Sequence, residues 1–186
     1  SDLVPAMLRT LNRDGLSFEG FHVYPGSQNL RGDVIAESLR RSVDLVLRLA
    51  QESPGPVRYI NLGGGWGIPY FPGERRLDLA PVGDALAQAQ ARLRQALPAA
   101  QLVLELGRYL VAEAGIYVAR VLDRKLSRGQ AFLVTDGGMH HHLAASGNFG
   151  QVIRRNYPVA IGNRLQSSER ETACVVGPLC TPLDVL

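Results

Sequence analysis

The stretch Arg58-Tyr-Ile-Asn-Leu-Gly-Gly-Gly65 decides the fold, because a short apolar segment runs without a break into three glycines. Segments with the 3.6-residue apolar repeat of helices lie on both sides of it, and further short strand candidates flank those helices. Alternation of this kind, with short connections, predicts parallel βα units. Predicted helices and strands alternate, beginning with a helix, over residues 2–14, 17–22, 32–52, 58–62, 81–97 and 101–105.

The pattern changes after about residue 116, where strand candidates at 116–122, 131–135 and 172–176 follow one another without long helices between them. We therefore expect an α/β domain over residues 1–122, either a barrel or a doubly wound sheet, and part of a β domain over 123–186. A complete (β/α)8 barrel needs roughly 250 residues. If the first domain is a barrel, we expect this chain to hold its second half and to be a fragment of a longer protein.

Composition excludes several classes of protein. The chain has 186 residues, of which 46% are hydrophobic and 20% charged, as in ordinary globular domains. The net charge is +3, and the arginine pairs are scattered rather than interleaved with aromatic residues, which argues against nucleic-acid binding. No apolar run is long enough to span a bilayer and no secretory signal is visible, so we expect no membrane partner. Two cysteines cannot form a disulfide framework, which favours a reducing compartment, and we therefore expect a cytoplasmic protein.

Candidate functional residues follow the predicted strands, at the sheet edge where α/β proteins bind ligands. Gly63–Gly65 can bring backbone N–H groups close to an anion, although a plain flexible turn fits the triplet equally well. Glu105 ends a strand, and Arg108 follows it with a guanidinium suited to phosphate. An internal ion pair between Glu105 and Arg108 is the alternative.

Two other features have simpler explanations. His140-His-His142 suggests a metal, but consecutive side chains do not face the same way and chelate poorly, so we expect a loop and no metal site. The role of these histidines stays open. Cys174 lies in a strand pattern typical of core packing, whereas Cys180 lies in a Gly/Pro loop.

Five motifs follow one another along the chain: residues 22–28 (HVYPGSQ), 61–67 (NLGGGWG), 105–111 (ELGRYLV), 136–139 (DGGM) and 175–180 (VVGPLC). In this order they resemble the pyridoxal-phosphate decarboxylases of the ornithine/diaminopimelate type, which have the alanine-racemase-like fold (fold type III). The resemblance covers nearly the whole chain. Residues 136–158 are most similar to the branch associated with exosortase systems, and a related branch acts on amino acids tethered to acyl carrier proteins.

The resemblance implies an α/β fold, the second half of a TIM-type barrel followed by part of a β-sandwich, and pyridoxal 5'-phosphate as cofactor. Glu105 would pair with the pyridine nitrogen and keep it protonated, which strengthens the ring as an electron sink. Racemases of this fold carry arginine there, so Glu105 favours decarboxylation. Tyr24 stands where the family usually stacks a histidine on the ring. The residues assigned to the cofactor are Tyr24, Ser27, Gly63, Gly64, Gly65, Glu105 and Arg108.

In this family the cysteine that matches Cys180 reaches the partner subunit's site and helps to protonate the decarboxylated carbanion, which implies a homodimer with shared sites. Asp184 matches an acidic position of the same loop, and Thr181 replaces the acidic residue of the ornithine and diaminopimelate enzymes, so the resemblance implies that both lie at the substrate. Arg154 and Arg155 could meet a substrate carboxylate or a carrier phosphate, or form a solvated pair. These departures argue against ornithine and diaminopimelate as substrates.

The family's Schiff-base lysine belongs to the first barrel strand, which would precede Ser1, and Lys125, the only lysine, does not match it. The predicted function, decarboxylation of an amino acid or of a carrier-tethered amino acid, therefore belongs to the parent protein. A non-catalytic, decarboxylase-like regulator is the alternative from another class, and a racemase is a third reading that Glu105 disfavours.

Overall fold

Three parallel strands form the first sheet of a computed structural model that describes residues 3–11, 15–143 and 157–186. Along the sheet they are β1 (Gly20–His22), β2 (Tyr59–Gly64) and β3 (Gln101–Glu105). Phe21 is opposite Ile60, which is opposite Leu102 on the other side. The predicted parallel βα units are therefore confirmed, and the observed sheet has three neighbouring strands in chain order.

Four helices accompany these strands in the described part of this unit: α1 (Leu3–Thr10), α2 (Gly32–Ala50), α3 (Ala80–Ala96) and α4 (Arg108–Val111). The apolar repeat of α2 places Val43 and Val46 in the core, where both are fully buried against β2 residues such as Ile60. A Glu37–Arg41 ion pair of 2.8 Å, one helical turn apart, lies on the exposed face of α2. The packing of α2 against β2 holds in place the sheet edge at which β1, β2 and β3 end.

Contacts divide the chain into two units, Ser1–Pro69 with Gly73–Ala112, and Tyr70–Pro72 with Glu113–Leu186. The second unit holds a sheet in the order β4 (Val121–Ser127), β5 (Gln130–Thr135) and β6 (Ala173–Val176). The architecture is thus mixed α/β with two small sheets. The expected domain boundary near residue 122 stays a prediction about the full protein.

The strand predicted at residues 116–122 overlaps β4 only at its end, because residues 116–120 are not in a strand and β4 begins at Val121. A two-residue turn sets its position: Arg128 and Gly129 have φ of 49° and 80°, and Ser127 pairs with Gln130 across them. Positive φ at both central residues is the geometry that suits the twist of an antiparallel hairpin. The apolar residues before β4 are exposed instead, Ile116 by 90%.

β6 pairs with β5 in parallel, with Phe132 opposite Cys174. After β6 the chain turns back, so that the N–H of Leu186 donates to the carbonyl oxygen of Val175 at 2.9 Å. The loop that carries Cys180 therefore connects β6 to this returning segment. Within the described residues no helix is both long and apolar enough to cross a membrane.

Candidate functional site

The carboxyl ends of β1, β2 and β3 meet at one edge of the first sheet because the strands are parallel neighbours. His22 is paired with Asn61, and Gly64 with Glu105. The register shifts between Asn61 and Gly64, where the chain bends into the glycine triplet. The predicted strand-end residues are therefore brought together.

Glycine is required at the triplet because other backbone segments pack directly against it. A Cβ on Gly64 would collide with the carbonyl oxygen of Glu105, and one on Gly65 with the carbonyl oxygen of Gly26. Gly65 also has a φ of +78°, and its Cβ would lie 3.3 Å from the backbone nitrogen of Ser27. The triplet is thus a packed junction that holds the Ser27 loop and the end of β3 side by side, rather than a plain flexible turn.

Arg108 is tied to the Ser27 loop through Gln28, a residue that sequence reasoning did not select. Arg108 Nη1 donates to Gln28 Oε1 at 3.0 Å, and Gln28 Nε2 donates to the carbonyl oxygen of Ile68 at 2.5 Å. Gln28 has a positive φ of 53°, which is uncommon outside glycine. These contacts keep the guanidinium beside a loop that carries a hydroxyl, as an anion site requires.

Glu105 has two partners at the sheet edge, neither of which was predicted. Asn61 Nδ2 donates to Glu105 Oε1 at 2.8 Å, and His22 Nε2 lies 3.3 Å from Glu105 Oε2. Asn61 Oδ1 in turn accepts the N–H of Gly63 at 2.8 Å. An asparagine inside an apolar strand, two residues before the triplet, is the signal that could have pointed to Asn61.

Ser27 lines a cleft of about 360 Å³ between its loop and helix α2, together with Gly64, Gly65 and Trp66. Tyr24, in the same loop, is 65% exposed, and its Cα lies 3.6 Å from where a Cβ on Gly63 would be. The first unit therefore contains all the residues that the resemblance assigned to the cofactor: they lie in the loop after β1, at and just after the end of β2, at the end of β3 and at the start of α4.

In the second unit, Cys180 is exposed and Thr181 is partly buried, whereas Asp184 is only 2% exposed. The carboxylate of Asp184 accepts the N–H groups of Met139 at 2.7 Å and Leu179 at 2.9 Å. Partners within its own unit therefore engage both oxygens. The substrate contact expected of Asp184 stays a prediction.

Tyr117 lies close to Asp136 and Asp184, and its ring is tilted against the rings of His141 and His142. Partial burial and the negative charges of Asp136 and Asp184 raise the pKa of Tyr117 above its usual value. Its ring centroid is 5.9 Å from that of His142.

Over the described ranges no group of three or more His, Cys, Asp or Glu side chains could hold a metal ion. Arg154 and Arg155 lie outside the described residues.

Comparison with known proteins fits this arrangement. A profile of the family described as "Pyridoxal-dependent decarboxylase, C-terminal sheet domain" matches residues 21–186. The chain belongs to this decarboxylase family. The resemblance found in the motifs is therefore confirmed, and pyridoxal phosphate is the cofactor that the family implies.

Among curated relatives in the family, an L-glutamyl-[BtrI acyl-carrier protein] decarboxylase of Niallia circulans is 43% identical over 173 residues, 91% of this chain and 40% of its own length. A diaminopimelate decarboxylase of Thermoplasma acidophilum is 33% identical, covering 95% of this chain and 40% of the relative. A crystal structure of diaminopimelate decarboxylase from M. jannaschii with L-lysine aligns with a TM-score of 0.60 and 26% identity, over 90% of this chain and 37% of that one. The chain thus spans about two fifths of these proteins.

The residues at the sheet edge fit pyridoxal phosphate. A phosphate needs hydrogen-bond donors and positive charge, which the triplet backbone, Ser27 and Arg108 can supply. A protonated pyridine nitrogen needs an acceptor, and the Glu105 carboxylate, held by Asn61, is one. Both requirements are met by neighbouring segments of the same unit.

Proposed function

We propose that the full-length protein containing this chain is a pyridoxal-phosphate-dependent decarboxylase of an amino acid, with an amino acid tethered to an acyl carrier protein as its preferred substrate class. One observation carries the proposal: the Ser27 loop, the glycine triplet and the Glu105–Arg108 segment pack against one another at a single sheet edge. An anion cradle and a held carboxylate are therefore available side by side for one cofactor.

The cofactor, when bound, supplies a protonated pyridine ring that takes up the electron pair released as carbon dioxide leaves. Glu105 keeps the ring nitrogen protonated, since an adjacent carboxylate favours the charged form of a basic group. Ser27, Arg108 and Gly63–Gly65 hold the phosphate and so orient the ring. Tyr24 would stack on the ring in place of the family's histidine. Cys180 would donate the proton on its Sγ to the α-carbon of the substrate in the partner's site after carbon dioxide has left.

We further propose that β1–β3 with their helices form the second half of a (β/α)8 barrel, and that residues 123–186 are part of a β-sandwich domain. The rest of the barrel and the lysine that carries the cofactor lie elsewhere in a cytoplasmic full-length protein. Support comes from the relatives, of which this chain spans 40%. The family resemblance also supports a homodimer in which Cys180 and its loop serve the partner's site.

The substrate proposal rests on charge. A diamino acid carries a second ammonium, which needs an acidic partner when it is buried. Thr181 offers none where the ornithine and diaminopimelate enzymes have an acid. Arg154 and Arg155 supply positive charge that suits a substrate carboxylate or a carrier-arm phosphate. The relative at 43% identity is described as acting on L-glutamate bound to a carrier protein, which is consistent with this charge pattern.

Two measurements on the full-length protein test the function. Absorbance titration with pyridoxal phosphate should give saturable binding that Arg108→Ala weakens about tenfold or more, because a charge-assisted hydrogen bond is lost. Arg94→Ala, on the exposed side of α3, is the matched control and should leave binding unchanged. No binding by the unsubstituted protein would refute the assignment.

The second measurement is a carbon dioxide release screen against free diamino acids, free acidic amino acids and carrier-linked aminoacyl substrates. We expect carrier-linked acidic substrates to be preferred, and Arg154→Ala/Arg155→Ala to remove the preference. Arg164→Ala, an exposed arginine of the second unit, serves as the control for loss of charge. Efficient turnover of ornithine or diaminopimelate would contradict the substrate proposal and leave the cofactor assignment standing.

A further inference from the structure

Asn61 is the residue through which the glycine triplet and Glu105 are connected. Its side chain accepts the N–H of Gly63 with Oδ1 and donates from Nδ2 to Glu105 Oε1, both at 2.8 Å. The orientation of the amide follows from its partners, because a backbone N–H can only donate and a carboxylate can only accept. No other side chain of this length supplies an acceptor and a donor in this arrangement.

The position of Asn61 on β2 makes this connection possible. It is paired with His22 of β1 on one side and Val103 of β3 on the other, so its side chain lies on the same face of the sheet as theirs, close to the ends of the strands. Glu105 is half exposed, and an unheld carboxylate there would sample several rotamers. With Gly63 fixing Asn61 and Asn61 fixing Oε1, the carboxylate is held in one orientation.

We propose that Asn61 is a positioning residue that uses the backbone of Gly63 as an anchor to hold Glu105 toward the ring nitrogen of the cofactor. The inference rests on the proposed function and deepens it. Each carboxylate oxygen can accept two hydrogen bonds, so the contacts of Glu105 with Asn61 and His22 leave acceptor capacity for a ring N–H. His22 is the titratable group that faces the second oxygen, at 3.3 Å.

The test compares two ligands in the full-length protein: pyridoxal phosphate, and its deaza analogue, in which a C–H replaces the ring nitrogen. Asn61→Leu keeps the size of the side chain and removes both hydrogen bonds. We expect it to weaken pyridoxal phosphate by about tenfold, within the range for directly contacting pairs, and to weaken the analogue much less. Asn61→Ala is the second variant should the leucine disturb folding.

Asn29, in the loop between β1 and α2, provides the matched control. Like Asn61, it accepts with Oδ1 the backbone N–H of the residue two positions further along the chain, here Arg31, at 2.9 Å. Asn29→Leu should change the dissociation constants of both ligands by the same factor. In a Glu105→Gln background, Asn61→Leu should add little, since the side chain that Asn61 holds no longer carries the charge that faces the ring nitrogen.

Equal weakening of both ligands by Asn61→Leu, or full additivity with Glu105→Gln, would overturn the positioning role while leaving the proposed function intact. Failure of the unsubstituted protein to bind either ligand would overturn the proposed function and this inference together. The comparison of two ligands does not depend on turnover, so it also separates Asn61 from residues that act only on the chemical step.

Discussion

Asp184 accepts a hydrogen bond from the backbone N–H of Met139, with 2.7 Å between Oδ1 and the nitrogen, although 45 residues separate the two. Its other oxygen accepts the N–H of Leu179. Gly138 and Gly177 lie against the carboxylate so closely that a Cβ at either position would collide with it. One buried carboxylate thus joins the turn after β5 to the loop that carries Cys180.

Replacing Asp184 by asparagine should destabilise the protein, because the amide nitrogen would face a backbone N–H and leave it without an acceptor. We expect the free energy of unfolding to fall by about 1–3 kcal/mol, the usual cost of an unsatisfied buried donor. Denaturant unfolding measures the change. Asp123→Asn, at an exposed position of β4, is the control. An equal loss of unfolding free energy in both variants would contradict the conclusion that the buried hydrogen bonds of Asp184 stabilise the fold.

Sequence reasoning found the elements that depend on local pattern. The apolar repeat of α2 and the strand entering the triplet both follow from neighbours along the chain. The contacts of Glu105 could not be found this way, because they depend on the register that places His22 opposite Asn61. A shift of one residue would turn Asn61 away from Glu105.

The second unit was harder to predict for a related reason. An apolar run at 116–122 favours a strand by composition, yet the hairpin turn at Arg128-Gly129 decides where β4 lies. The turn signal is a glycine preceded by a residue that must adopt positive φ, and arginine is an unusual choice there. The buried state of Asp184 was likewise invisible, since its partners are backbone groups of a distant turn.

Gly65→Ala should weaken cofactor binding, and the strain of placing alanine in a left-handed backbone conformation should not account for the whole effect. A methyl group there meets the Gly26 carbonyl oxygen and would push the Ser27 loop away from the triplet. Gly73→Ala is a matched control, with a similar φ of +88° and no atom within 4 Å of its Cβ position. Both variants should lose about 1–2 kcal/mol of stability from the left-handed backbone. Only Gly65→Ala should weaken pyridoxal phosphate in an absorbance titration, and equal binding by both variants would count against the packed junction.

The Arg124–Glu171 ion pair predicts a pH-dependent contribution to stability. The hydrogen bond from Arg124 lowers the pKa of Glu171 below its ordinary value of 4.5. A carboxyl with a depressed folded-state pKa stabilises the fold above its unfolded pKa, and the contribution is lost as the pH falls through the folded value. The melting temperature of Glu171→Gln should therefore lie below that of the unsubstituted protein at neutral pH and converge with it in acid.

Salt provides a second check on this pair, because both side chains are about half exposed and their attraction is screened. The difference between Glu171→Gln and the unsubstituted protein should shrink at high ionic strength. Glu169→Gln, two residues away, is the control. A difference that persisted unchanged at low pH would show that the substitution acts through something other than the ion pair.

Glu105→Gln should separate catalysis from binding in the full-length protein. The glutamine has the same length and can still contact Asn61, but it carries no charge to keep the ring nitrogen protonated, and that protonation matters most as the electron pair develops. We expect kcat to fall by about 100-fold, comparable to the loss of one electrostatic group in other active sites, while the dissociation constant of pyridoxal phosphate changes far less. Steady-state kinetics and absorbance titration measure the two effects. Glu37→Gln, which removes an exposed carboxylate of α2 paired with Arg41, controls for the change in net charge. Equal effects on kcat and on cofactor affinity would mean that Glu105 holds the cofactor in place rather than tuning its ring.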